Sequence, residues 1–149
     1  MTRNTAREIA MHFVYQLDTV TDGAEEMLAE QLTRENFNAL AGECTLYANF
    51  PPEEREDYIR SVVSGVAEHR EELDGYVTRF SEGWKLPRIP KTALAAMQIA
   101  MYEILYRDDI PTKVAINEAL EIAKHYETAE TVGFINGILG SFVKSLNIE

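Results

Sequence analysis

The sequence predicts an all-α protein, and three observations predict it. Apolar residues recur at three- and four-residue spacing almost throughout the chain. No stretch shows the sustained apolar-polar alternation, bounded by turn residues, that a half-buried strand would need. The segment Lys91 to Arg107 is apolar on nearly every helical face, through Ala93, Leu94, Ala96, Met97, Ile99, Ala100, Met101, Ile104 and Leu105. Such a segment belongs at the centre of a helical core.

The elements follow in order. A first helix is expected from about Thr2 to Leu17, its buried stripe formed by Ala6, Ile9, Ala10, Phe13, Val14 and Leu17. Asp22 and Gly23 mark a turn. A second helix covers about Ala24 to Leu32. Residues 33–52 are the least periodic and read as helix fragments ending at Pro51 and Pro52. Glu53 to Glu68 forms a helix with Tyr58, Ile59, Val62, Val63 and Val66 inward. Glu71 to Gly83 forms another, with Leu73, Tyr76, Val77 and Phe80 on one side. Pro87 and Pro90 bracket a short extended connection, because proline lacks the amide proton and biases its predecessor away from the helical region. After the central helix, Asp108 to Thr112 turns the chain. The next helix directs Val114, Ile116, Ala119, Leu120 and Ala123 inward and Lys113, Asn117, Glu121 and Lys124 outward. A last helix runs from about Ala129 to Leu146 on Val132, Ile135, Ile138, Leu139, Phe142 and Leu146.

At 149 residues the chain reads as one domain, 1–149, long enough to bury roughly 70% of the surface its unfolded form exposes. Its single cysteine, Cys44, cannot form an internal bridge, and a reducing compartment is expected. The first 18 residues lack the continuous apolar core and cleavage site of a signal peptide. The longest apolar tract, Thr92 to Tyr106, is interrupted by Gln98 and Glu103 and falls short of the ~20 residues a membrane span requires. A cytoplasmic location and no membrane partner are therefore expected.

The net charge of −11 argues against a generic nucleic-acid binder. The acidity is one-sided, however. Residues 1–78 carry 6 Lys or Arg against 16 Asp or Glu, whereas residues 79–149 carry 8 against 9. Arg79, Lys85, Arg88 and Lys91 fall close together with only Glu82 against them. That excess could meet phosphates, although a solvated basic connection is the simpler reading.

Catalysis needs a nucleophile, base or metal held by suitable partners. His12, His69 and His125 are isolated from one another, and metal-ligand spacings do not occur. Glycine-rich phosphate loops have no strand to follow. Neither an enzyme nor a cofactor nor a metal is expected, and binding is the function class that remains.

Four features could serve binding. Gly133, Gly137 and Gly140 lie in the last helix, where each costs about 1 kcal/mol relative to alanine. They fall roughly opposite the stripe centred on Ile135, which permits close approach by a ligand or, more simply, by a packed helix. Phe134 lies about 100° from the stripe centre, at the edge of the buried face, where an aromatic suits base stacking or partial burial. Arg3 and Arg7 sit one turn apart at a helix N-terminus, where the macrodipole disfavours cations. Phosphate contact would explain them, as would tolerance of an exposed first turn. Phe80 follows Arg79 and could stack a base beside a cation, although it also continues an apolar stripe.

From Ile99 the chain reads I-A-M-Y-E-I-L-Y-R-D-D-I-P-T-K-V-A-I-N-E-A-L-E-I-A-K and then, from Gly133, G-F-I-N-G-I-L-G. These elements closely resemble the NusB family of transcription antitermination factors. The N-terminal T-A-R-E-I-A and Val14-Tyr15 agree more loosely, and the likeness covers most of the chain outside about residues 18–52. The resemblance implies two roughly perpendicular three-helix bundles joined by a linking helix. It implies binding of boxA RNA in ribosomal RNA leader transcripts together with NusE (ribosomal protein S-ten), within the transcription elongation complex.

By that resemblance the RNA surface would use Arg3, Arg7, Phe80, Glu130 and Phe134, with Lys113 and Asn117 in the matching motif. The protein partner would dock along the Lys91 to Arg107 helix, through Lys91, Gln98 and Glu103. An acidic host suits a basic ribosomal protein. The chain also departs from the family pattern: Asn4 and Thr5 separate Arg3 from Arg7, Ala93 and Leu94 replace an acidic-then-basic pair, and Gln98 stands where arginine is usual. Two other classes are to be weighed. A similar helical domain precedes the catalytic domain of an rRNA cytosine methyltransferase, but this chain has no framework for S-adenosylmethionine. A protein-binding module, as a homodimer burying the glycine face, is the other.

Overall fold

A computed structural model describes residues 1–17 and 23–147. Among these residues the chain is helical and contains no strand. It comprises α1 (Arg3–Gln16), α2 (Ala24–Gln31), α3 (Arg34–Leu40), α4 (Glu53–Glu68), α5 (Arg70–Phe80), α6 (Lys91–Tyr106), α7 (Thr112–Ala123) and α8 (Ala129–Ser145). Short 3-10 turns at Thr45–Tyr47 and Leu86–Arg88 complete it. Of the expected turn at Asp22 and Gly23, Asp22 lies outside the described residues. Gly23 takes φ +89°, which favours glycine, and opens α2.

The chain divides into two compact units, Met1–Ala67 and Glu68–Glu149. In the first, α1 buries Ala6, Ile9, Ala10, Phe13 and Val14, and α4 buries Tyr58, Ile59, Val62, Val63 and Val66, as their periodicity predicts. The Thr2 hydroxyl caps α1 by accepting the Thr5 N–H at 3.0 Å. The weakly periodic segment folds as α3 and a 3-10 turn around an aromatic cluster. Phe37 meets Tyr47 and Phe50 edge-on at 4.8 and 5.2 Å. Edge-to-face aromatic contacts of this kind hold fragments too short to be stable alone.

In the second unit α6 is the centre, buried at every position from Ala93 to Glu103 and contacted by α5, α7 and α8. Its buried Gln98 donates through Nε2 to Asp74 Oδ1 on α5 at 2.7 Å, so the one amide in the run of apolar residues is satisfied. Phe142 of α8 meets Tyr76 of α5 edge-on at 4.8 Å.

Two expectations are corrected. α5 ends at Phe80 rather than Gly83. The Ser81 hydroxyl shares its one proton between the carbonyls of Trp84, at 3.0 Å, and Thr78, at 3.3 Å, and Gly83 takes φ +78°, so a tight turn replaces the last helical turn. α7 is rotated from its expected face. It buries Ala115, Ala119, Ile122 and Ala123, leaves Ile116 and Leu120 half-buried, and exposes 43% of Val114. Alanines let α7 lie close along the alanine-rich α6, and this packing outweighs the larger apolar area of the neighbouring positions.

Candidate nucleic-acid interface

The residues expected to bind RNA fall into separate groups, one in the first unit and others in the second. In the first unit, α1 presents Arg3 and Arg7 toward the Tyr58 ring of α4. Their guanidinium carbons lie 5.3 and 5.7 Å from the ring centroid, which is within cation–π range. Arg3 is half-buried. Arg7 is buried and donates to Asn4 Oδ1 at 3.0 Å. Of the two arginines, then, only Arg3 keeps its side chain partly in water. The placement of Arg7 serves packing and hydrogen bonding in the chain as it stands.

In the second unit, Phe80 and Phe134 line one open hollow of about 350 Å³, together with Arg79, Glu82, Gly137, Ile138 and Ser141. α5 delivers Arg79 and Phe80 from its last turn, with the Arg79 guanidinium 5.0 Å over the Phe80 ring. α8 delivers Phe134, Gly137, Ile138 and Ser141 from successive turns of one face, a spacing of three and four residues. The Trp84 ring packs against Phe134 at 4.5 Å with a 31° tilt between the planes. A Cβ added at Gly133, Gly137 or Gly140 would meet nothing within 4 Å. Helix packing, the simpler expectation for these glycines, therefore does not account for them.

The remaining expected residues lie elsewhere. Lys113 and Asn117 are exposed, one turn apart on α7. Glu130 is exposed in the first turn of α8, one turn before Phe134. Its charge there complements the helix dipole, and Thr128 caps the same end by accepting the Thr131 N–H at 3.2 Å. Of the partner-binding set, Lys91 is exposed at the start of α6, whereas Gln98 and Glu103 are buried, at 3% and 0% exposure. A partner could touch those two side chains only if the chain repacked. Arg79, Lys85, Arg88 and Lys91 are all exposed, so the local basic excess faces water.

Trp84 is the residue the sequence reading missed. A lone tryptophan directly after a glycine and directly before a lysine, in a connection between helices, was the available signal. Outside the hollow, hydrogen bonding to Glu72 pushes the Tyr106 hydroxyl up to about 12, and Lys124 holds the Glu121 carboxyl below its ordinary value. Among the described residues, neither a cluster of His, Cys, Asp or Glu able to hold a metal ion nor a helix long and apolar enough to cross a membrane occurs.

The model of the NusB family matches residues 4–144. The chain belongs to the NusB family. The transcription antitermination protein NusB of Acetivibrio thermocellus is 45% identical over 144 residues, which cover 97% of this chain and 90% of that protein. That of Natranaerobius thermophilus is 40% identical over 147 residues, 99% of this chain and 98% of its own. Among solved structures, T. maritima NusB superposes with a TM-score of 0.78 at 27% identity, covering 97% of this chain and 92% of its own. The all-α, NusB-like fold and membership in a family of transcription antitermination proteins are thus established together. The motif from Tyr102 to Leu139 that carries the resemblance spans α6, α7 and the Phe134 face of α8.

Proposed function

We propose that this NusB-family chain binds boxA-type RNA of ribosomal RNA leader transcripts together with NusE, and so acts in antitermination within the transcription elongation complex. The observation that carries the reading is the open hollow in which Phe80 and Phe134 come together beside Arg79. An unstacked base needs an aromatic face, a nearby cation for its phosphate and unobstructed access, and these side chains supply all three. Lys113, Asn117 and Glu130 in the second unit and Arg3 in the first are further proposed RNA contacts, with Arg7 supporting α1 beside Arg3. Lys91 is proposed to meet the partner protein, with Gln98 and Glu103 supporting that surface from beneath, and the net acidity of the chain favours a basic partner.

The test is a titration of labelled boxA RNA, with and without NusE, at two salt concentrations. Binding that is strengthened by NusE and weakens with salt is expected, by a slope of about −0.7 per neutralised phosphate. Absence of binding in both cases would sink the reading. A homodimer closing over the glycine face is the second reading, favoured by the same open Gly133 and Gly137. Light scattering that gives twice the 16.9 kDa chain mass, with no RNA binding, would put it first.

A further inference from the structure

The hollow that lies beside Phe134 holds an acid. Glu82, on the turn after α5, shares the lining with Arg79, Phe80, Gly137 and Ser141. A carboxylate repels phosphate and only accepts hydrogen bonds. Its presence in a hollow with aromatic walls favours entry of a base edge over entry of the backbone. The bases differ in what they offer it. Guanine presents two adjacent donors on its Watson–Crick edge, N1–H and the 2-amino group, which match the two oxygens of a carboxylate. Adenine and cytosine place one amino group beside a ring acceptor that a carboxylate repels, and uracil flanks its single N–H with two carbonyls.

The stacking partners are in place for such a base. Phe134 is part of the lining, and Trp84, outside the lining, covers part of its ring at 4.5 Å. The Arg79 guanidinium lies over the Phe80 ring at 5.0 Å, whereas Trp84 meets Phe134 at a 31° tilt, so Phe134 is the ring taken as the platform, with the exposed Arg79 charge in the same lining. Nothing lies within 4 Å of the space a side chain at Gly137 would take, so the α8 backbone is open beneath. The volume of about 350 Å³ is at the small end of ligand sites, suited to one base rather than to several.

We infer that Glu82 reads the Watson–Crick edge of one unpaired guanine whose ring lies against Phe134, with Arg79 meeting an adjoining phosphate and Trp84 holding Phe134 in orientation. The inference rests on the RNA-binding reading above and names the base that this surface takes. Four labelled uridine heptamers, carrying guanine, inosine, adenine or cytosine at the centre, provide the test, read by anisotropy and by fluorescence of Trp84, the chain's only tryptophan. The guanine heptamer binds most tightly and changes Trp84 emission. Inosine, which keeps N1–H and lacks the 2-amino group, binds about tenfold more weakly, as loss of one charge-assisted hydrogen bond requires. Glu82→Gln removes the difference between guanine and inosine while leaving the helical circular dichroism unchanged, because Glu82 is exposed. Trp84→Leu weakens all four heptamers alike, and Trp84→Phe restores them. Wild-type chain that binds boxA RNA yet treats the heptamers alike, or a Glu82→Gln chain that keeps its guanine preference, overturns the inference and leaves the RNA reading standing. Failure to bind boxA RNA with and without NusE removes both.

Discussion

Arg3 and Arg7 stand one turn apart on α1, and their surroundings assign them different energies. Arg7 is 2% exposed and bonded to the half-buried Asn4, so its removal leaves the Asn4 amide oxygen without that donor and opens a void. Arg7→Ala is expected to destabilise the chain by about 2 kcal/mol in denaturant unfolding. Arg3→Ala, at a half-buried cation–π contact, costs less than about 1 kcal/mol and lowers the salt slope of RNA binding by about 0.7. His12 is a second residue whose environment sets its behaviour. Burial holds its imidazole below the ordinary 6.5 against the opposing pull of Glu8, and its Nδ1 shares a 3.1 Å hydrogen bond with the Tyr47 hydroxyl. As pH falls, the unfolded chain takes up this proton first. The stability contributed by neutral His12 is therefore complete above about pH 6.5 and is lost as pH falls through the folded-state value. Melting temperatures from pH 7.5 to 5 should fall more steeply for wild type than for His12→Gln, by an amount worth less than about 1 kcal/mol given the ring's partial contact with water.

At the scale of elements, spacing placed most helices closely, because burial of one face is what stabilises a helix in water. Glu53 to Glu68 is reproduced as α4, and the central helix differs only at its last residue. The misread elements are those where local chemistry or a neighbour competes. Ser81 and Gly83 truncate α5, and the alanines of α7 override its bulkier apolar positions. α8 presents the opposite case, a helix that retains residues costly to it. Because a Cβ at Gly137 meets nothing within 4 Å, Gly137→Ala should stabilise the chain by about 0.5–1 kcal/mol in thermal unfolding. The same substitution should weaken RNA binding, since the added methyl stands in the hollow. A gain in stability with unchanged RNA affinity would show that the glycine face is not in contact with RNA.

For the whole molecule, the governing quantities are charge and the centre of the core. A net charge of −11 opposes RNA and attracts a basic protein, so the partner is expected to do part of the electrostatic work of binding RNA. Association with NusE, followed by stopped flow, should slow as salt rises from 50 to 500 mM, by about tenfold or more, with a smaller change in the dissociation rate. Equal slowing of both steps, or none, would place the contact away from the acidic surface. α6 lies at the centre of the second unit and buries Gln98 and Glu103, so substitutions at these two positions are expected to alter partner binding only by disturbing what packs around them.

The sequence by itself determined that the chain is helical, that α6 is its central helix, and which family motif runs from Tyr102 to Leu139, because periodicity and spacing are local properties of the chain. It also singled out Phe80 and Phe134, 54 positions apart, as aromatics worth attention. Only the tertiary structure decided that these two line one hollow, that Trp84 packs against one of them and that Glu82 joins them. It likewise decided that Arg7 is buried beside Tyr58 while Arg3 reaches water. Which side chains meet depends on how close neighbouring helices come and on how each is rotated about its axis. Those distances and rotations are set by packing between residues far apart in the chain, and periodicity within a single helix does not contain them.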